Sequence, residues 1–159
     1  LEQARGKPDT DVIRSYVWVN HTFESLNLFD SQYSAEIPIV VPESAQSIRL
    51  NFNVNLAQAI PEELLPEQTG EFRFASYRLL NPDGEILFES NTSESRQEGQ
   101  KSRIYPEPGK YVLEVDAQGY GFSISDSYES KDRLSIKVTI EQTILVYNDG
   151  SVSDPVLYP

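Results

Sequence analysis

Apolar and polar residues alternate with a period of two along much of the chain. Every second residue of the segment 47–56 is apolar, from Ile48 to Leu56, and the segment 132–141 repeats the pattern from Leu134 to Ile140. Successive side chains of an extended strand point to opposite faces, so each segment predicts a strand with one buried and one solvent-facing side.

Turn residues and β-prone runs divide the rest of the chain into further short segments. Asn81-Pro82-Asp83-Gly84 predicts a tight turn, because proline fixes a negative φ and glycine accepts a positive one. Residues 61–65 predict at most a single helical turn, and the Ser-, Glu- and Gln-rich stretch 90–102 predicts an exposed loop. The predicted strands are residues 12–20, 34–41, 47–56, 71–80, 85–89, 110–117, 132–141 and 143–147. The fold class is therefore all-β, an antiparallel sandwich or jelly roll of eight or nine strands.

Length and composition fit one domain outside the cytoplasm. With 159 residues, we expect a polar N-terminal extension over residues 1–11 and a single sandwich over residues 12–159. The chain starts at Leu1 and lacks methionine, as expected after removal of a signal peptide, and it lacks cysteine. Its apolar runs are too short to cross a bilayer, so we expect no membrane insertion. A net charge of −12 argues against nucleic acid as a partner.

The residues that enzymes use for catalysis are scarce in this sequence. His21 is the only histidine, and neither a nucleophile motif nor a phosphate-binding glycine loop occurs. We therefore predict that the chain is not an enzyme and has no catalytic residues.

A resemblance to a known class of domain extends over residues 33–141. It rests on four segments: residues 37–42 (Ile-Pro-Ile-Val-Val-Pro), the alternating strand 48–56, residues 77–84 (Tyr-Arg-Leu-Leu-Asn-Pro-Asp-Gly) and residues 108–115 (Pro-Gly-Lys-Tyr-Val-Leu-Glu-Val). In this order the segments resemble the jelly-roll accessory domains of secreted peptidases, the pre-peptidase C-terminal and P-domain types. The resemblance implies a non-catalytic β-sandwich. Tyr77, Arg78 and Leu79 stand where those families carry acidic residues, so it does not extend to their calcium site.

Acidic residues and glycosylation sequons mark two kinds of candidate site. Calcium is the one ion that the acidic composition suggests, and its candidate ligands are Asp116, Asp126, Glu129 and Asp132, with a solvated acidic loop as the alternative. The sequons begin at Asn20 and Asn91, which are the candidate glycosylation sites.

The segment before the first sequon leads to the functional hypothesis. Residues 12–19 carry apolar side chains on both faces, as a strand covered on both sides would. We therefore predict an extracellular filament or surface subunit, a homopolymer joined head-to-tail by β-strand addition, in which this donor strand inserts into a neighbouring copy. The alternatives are that it pairs within its own sandwich, or that residues 143–147 are the donor. The candidate donor residues are Val12, Ile13, Tyr16, Val17, Trp18 and Val19.

An accessory domain of a secreted enzyme, binding carbohydrate or protein, is the alternative function. Aromatic side chains that stack on sugars would carry it. The candidates are Tyr16, Trp18, Tyr105, Tyr120, Phe122 and Tyr128. Trp18 lies between two valines and is expected to be packed, whereas residues 119–122 (Gly-Tyr-Gly-Phe) are expected to form an exposed aromatic loop.

Overall fold

A computed structural model describes residues 9–26, 30–56, 73–92, 96–125, 128–147 and 152–153 of the chain. It confirms the all-β prediction, and none of these residues forms a helix that could cross a membrane. The strands are β1 (Asp9–Thr22), β2 (Gln32–Val41), β3 (Ala45–Asn55), β4 (Phe74–Leu80), β5 (Ile86–Thr92), β6 (Arg96–Ile104), β7 (Gly109–Gln118), β8 (Gly121–Ser125), β9 (Tyr128–Lys131), β10 (Arg133–Val146) and β11 (Val152–Ser153).

The strands form two large antiparallel sheets and one small hairpin. Sheet A has the order β1-β10-β3-β6, and the short β11 also pairs with β10. Sheet B has the order β2-β7-β4-β5, and β8 pairs with β9. Both large sheets combine strands that are far apart in the sequence, so long-range pairing determines which residues become neighbours.

The two sheets pack face to face around one apolar core. The alternating residues of β3 and β10 are buried as predicted, and they join buried residues of β4 and β7 in one cluster. The rings of Phe52 on β3 and Tyr77 on β4 lie 5.4 Å apart across the two sheets. Burying an apolar side chain of this kind contributes about 1.5–3 kcal/mol. The sandwich is therefore held together mainly by these inward-facing positions.

The turn between β4 and β5 has the chemistry that its sequence predicts. The side-chain oxygen of Asn81 accepts hydrogen bonds from the backbone amides of Asp83 (3.0 Å) and Glu85 (2.9 Å). Gly84 has a φ of 81° and donates its amide to the carbonyl of Asn81 at 2.9 Å. The hairpin predicted at this position is confirmed.

The loop predicted over residues 90–102 is wrong for residues 90–92 and 96–102, and residues 93–95 lie outside the described residues. β5 continues to Thr92, and β6 begins at Arg96 and pairs with β3 along the edge of sheet A. The inward positions of β6 include Gln97, Gly99 and Lys101 rather than apolar residues. The ring of Phe52 fills the space over Gly99, and the amine of Lys101 donates to a carbonyl of β5. The strand therefore lacks the apolar alternation that would have revealed it.

The end of the chain also differs from the prediction in one respect. Residues 132–141 and 143–147 were expected to form separate strands, but β10 runs through both, with an irregularity between Glu141 and Gln142. Asp132 precedes this strand.

The helical turn predicted over residues 61–65 lies outside the described residues.

Candidate binding face of sheet A

The alternation of β1 determines which of its side chains are available to a ligand. Val19 is buried and Val17 packs against the core, so both face sheet B. Tyr16 and Trp18 point the other way and are 55% and 62% exposed. The prediction that Trp18 is packed is therefore wrong. Both faces of this strand carry large apolar residues, so the sequence pattern alone could not decide which face is buried.

Neighbouring side chains of β10 hold Trp18 and Tyr16 in position. The indole nitrogen of Trp18 donates a hydrogen bond of 2.8 Å to the hydroxyl of Ser135. The amine of Lys137 lies 4.2 Å from the ring centroid of Tyr16 and 5.8 Å from that of Trp18. Contacts of this kind between a cation and an aromatic ring are attractive. The exposed indole is thus anchored at its polar edge.

Polar side chains continue the same face across β3 and β6. The amide nitrogen of Asn51 donates to the side-chain oxygen of Gln100 at 3.4 Å, and that of Asn53 donates to the carboxylate of Glu98 at 3.3 Å. These four side chains are exposed, since they alternate with core residues on β3 and with inward residues on β6. Each amide keeps further donors or acceptors for a ligand.

The indole and these polar pairs line a shallow groove of about 470 Å³, which we call the sheet A groove. That volume is within the range of small-molecule sites. Its lining residues are Trp18, Asn51, Phe52, Asn53, Glu98, Gly99, Gln100, Ser135 and Lys137. A ligand in this groove would meet an aromatic surface at one end and hydrogen-bonding groups along the rest.

The outer face of sheet B carries a larger concavity of about 930 Å³. Glu36, Glu89, Glu114 and Asp116 line it, and Arg78 pairs with the carboxylate of Glu114 at 3.2 Å. The rest of the lining is mainly hydroxyl and amide side chains, and its single aromatic residue is the buried Tyr77. As far as the described residues line it, the cleft therefore offers charge but no exposed aromatic surface.

The candidate donor strand lies in its own subunit's sheet. All fourteen residues of β1 are in register with β10, from Asp9 opposite Val146 to Thr22 opposite Arg133. Val12 and Ile13 nevertheless remain 43% and 39% exposed. The alternative donor, residues 143–147, lies largely within β10, between β1 and β11. Pairing of β1 with a neighbouring copy stays a prediction.

The described candidate calcium ligands occupy separate environments. Asp116 accepts a hydrogen bond from the hydroxyl of Ser34 at 3.1 Å on the outer face of sheet B. Asp132 is fully buried; it accepts from the amide of Tyr120 at 2.8 Å and forms an ion pair with Arg73 at 3.0 Å. Asp126 lies outside the described residues, as does the side chain of Glu129. Within the described part of the chain, no three acidic or histidine side chains form a group suited to a metal.

The other aromatic candidates divide between surface and core. Tyr105 is 68% exposed and has a φ of 50°, whereas Tyr120 is fully buried. The prediction of an exposed aromatic loop at residues 119–122 is therefore wrong for Tyr120. Gly119 and Gly121 explain the difference, because they allow this segment to pack against Phe23, where a Cβ atom would clash. The side chains of Phe122 and Tyr128 lie outside the described residues.

His21 packs between aromatic rings. Its imidazole stacks on Tyr33 at 4.2 Å and meets the edge of Phe23 at 4.6 Å. Burial lowers the pKa of His21, and the nearby Glu24 carboxylate opposes that shift. These contacts give the imidazole a packing role at the end of the core.

Both candidate glycosylation sites have exposed asparagines. Asn20 lies near the end of β1, opposite Ser135, and Asn91 lines the cleft of sheet B. Attachment of a glycan at either residue stays a prediction.

Sequence reasoning missed every polar residue of the sheet A groove. The signal available was the outward-facing set of two alternating strands, which includes Asn51 and Asn53 on β3 and Ser135 and Lys137 on β10. No protein-family model matches this chain, and a search of curated proteins finds no match either. The groove itself therefore carries the functional argument.

Proposed function

We propose that the chain is a non-catalytic carbohydrate-binding module and that the sheet A groove is its binding site. The observation that carries this proposal is the anchored, exposed indole of Trp18 beside two hydrogen-bonded pairs of side chains. One pair joins the amides of Asn51 and Gln100, and the other joins the amide of Asn53 to the carboxylate of Glu98. Pyranose rings have an apolar face that stacks on aromatic surfaces and a rim of hydroxyl groups that both donate and accept hydrogen bonds. The groove supplies a matching surface for each part.

The contacts that hold the indole in place favour binding, because they reduce the conformational entropy that is lost when a ligand binds. Ser135 holds the nitrogen of Trp18, and Lys137 covers the neighbouring ring of Tyr16. A side chain that is already fixed loses little rotamer freedom when a ligand arrives. The paired amides of β3 and β6 are ordered in the same way, so the site is largely preformed.

An accessory domain of a secreted enzyme is the setting that we propose for this module. Three features of the sequence support an extracellular location: the absence of cysteine, the two sequons and the resemblance to accessory domains of secreted peptidases.

The test is binding to an array of neutral and acidic polysaccharides, followed by titration of a bound glycan. We expect Trp18→Ala to weaken binding at least about tenfold, because the stacking surface is lost. Tyr105→Ala is the matched control, since Tyr105 is similarly exposed but does not line the groove. The proposal fails if no glycan binds, or if both variants bind as tightly as the wild type.

Assembly through β1 is a second candidate function, favoured by the free edge of that strand. Among the described residues, no strand pairs with β1 on the side away from β10. Edge strands of soluble proteins are often protected by proline or by charged side chains, above all lysine. β2 has Pro38 and β6 has Lys101, whereas the other two edge strands, β1 and β5, have neither residue type. β1 in addition exposes Val12, Ile13 and both aromatic residues. A second copy could add a strand here or exchange β1 itself, giving the head-to-tail filament.

Sedimentation velocity over a range of concentrations tests this assembly. We expect the wild type to form larger species and Val12→Lys/Ile13→Lys to remain monomeric, because lysine side chains oppose pairing at the edge. Val40→Lys is the control, since Val40 is 73% exposed on sheet B. A wild-type protein that is monomeric at every concentration contradicts the assembly candidate without affecting the carbohydrate proposal.

A further inference from the structure

The register of sheet A fixes how the groups of the groove are arranged. Trp18 lies opposite Lys137, Lys137 opposite Asn51, and Asn51 opposite Gln100. These residues form one row that crosses all four strands at right angles. Strands in a sheet are about 4.8 Å apart, so the row extends about 14 Å from β1 to β6. A linear oligosaccharide, rather than a single sugar, matches that length.

A second row runs beside the first and offers complementary groups. Ser135 lies opposite Asn53, and Asn53 lies opposite Glu98. The hydrogen bonds from Asn51 to Gln100 and from Asn53 to Glu98 run along these rows, from β3 to β6. The amide and carboxylate groups are therefore concentrated at the end of the groove away from Trp18. A ligand that stacks on the indole must extend across the strands to reach them.

The charged side chains beside the groove disfavour an acidic ligand. Lys137 and Glu98 are the charged residues that line the groove, and they have opposite signs. Lys137 already contacts the rings of Tyr16 and Trp18, and the nearby Arg14 and Arg49 both pair with Glu141, at 3.1 and 3.4 Å. With these cations engaged and a net charge of −12 on the chain, an acidic glycan has little to attract it.

We infer that the sheet A groove binds an internal stretch of a neutral, linear polysaccharide that runs across the strands from Trp18 to Gln100. This inference rests on the proposed function and adds the direction, length and charge of the ligand. One sugar stacks on Trp18, and the next sugars bond to the amides of Asn51 and Gln100. Binding of this kind recognises the middle of a chain, because among the described residues no strand lies beyond β1 or β6 at the two ends of the row.

The test is calorimetric titration with a length series, from monomer to pentamer, of β-1,4-linked glucose, mannose and N-acetylglucosamine. For the sugar that binds, we expect the trimer to bind roughly tenfold more tightly than the monomer, through added hydrogen bonds, and the pentamer to add little. Gln100→Ala should weaken binding of the trimer several-fold and leave the monomer unaffected. A uronic acid trimer should bind at least about tenfold more weakly than the neutral one.

Each contrary outcome identifies which statement is wrong. If monomer and trimer bind equally and Gln100→Ala has no effect, the inferred direction is wrong while the carbohydrate proposal stands. If Tyr16→Ala weakens trimer binding and Gln100→Ala does not, the ligand runs along β1 instead. Equal affinity for the uronic acid trimer contradicts the inferred neutrality. If none of these sugars binds, while the array also shows no glycan bound, the proposed function itself is wrong.

Discussion

The phenol of Tyr77 lies in the core of the sandwich at 3% exposure, and its hydroxyl has no hydrogen-bond partner among the described residues. A buried polar group without a partner costs stability. The same burial raises the pKa of Tyr77 to about 12. This residue therefore links the packing of the two sheets to the pH dependence of folding.

Tyr77→Phe should change the stability of the protein in alkali more than at neutral pH. The folded protein holds the Tyr77 proton more tightly than the unfolded chain does. The protonated phenol therefore contributes its full share to the free energy of unfolding below pH about 10, and this share is lost as the pH rises toward 12. The Tyr77→Phe protein has no phenol at this position, so it does not lose this part of its stability in alkali. At pH 7 we expect a gain of about 1 kcal/mol in unfolding free energy, because the substitution removes a buried hydroxyl that has no partner.

Urea denaturation of both proteins at pH 7, 9 and 11 measures this difference. Other tyrosines, such as Tyr111, whose pKa burial also raises, titrate in both proteins and cancel in the comparison. Parallel losses of stability in the two proteins between pH 9 and pH 11 would show that Tyr77 is not buried as described.

At the scale of elements, β6 shows why the sequence could predict most strands but not all. β3 and β10 are central strands, and each buries one complete face, so the alternation of their residues was visible. β6 lies at the edge of sheet A, where a glycine, a glutamine and a lysine occupy inward positions. Its position depends on the ring of Phe52 on the neighbouring strand. A pattern read along one segment cannot reveal such a contact.

Gly99→Ala tests this placement of β6. A Cβ atom at Gly99 would lie 2.6 Å from Cζ of Phe52, so the ring would have to move within a packed core. We expect a loss of about 1–3 kcal/mol in unfolding free energy, which exceeds the gain from removing a glycine from a strand. Ser102→Ala, an exposed position on the same strand, should change it by no more than about 0.5 kcal/mol. If Gly99→Ala is as stable as Ser102→Ala, β6 does not pack against Phe52.

At the scale of the whole molecule, the binding face depends on strand order. The sequence predicted the outward direction of Asn51, Asn53, Ser135 and Lys137, because they alternate with core residues. It could not predict that Trp18 lies beside them, since β1 and β10 are separated by more than a hundred residues and pair through long-range contacts. The face between β1 and β6 emerges only when the sheet is assembled.

In the proposed complex, the exposed indole of Trp18 contacts a sugar. Trp18 is the only tryptophan in the chain, so its fluorescence reports on the groove directly. The most direct measurement is a fluorescence titration of the wild-type protein with the oligosaccharides of the length series. We predict a saturable change in Trp18 emission that reaches half of its maximum at a roughly tenfold lower concentration of the trimer than of the monomer. Trp18 emission that stays constant at saturating concentrations of a glycan known to be bound would show that the sugar does not contact the indole.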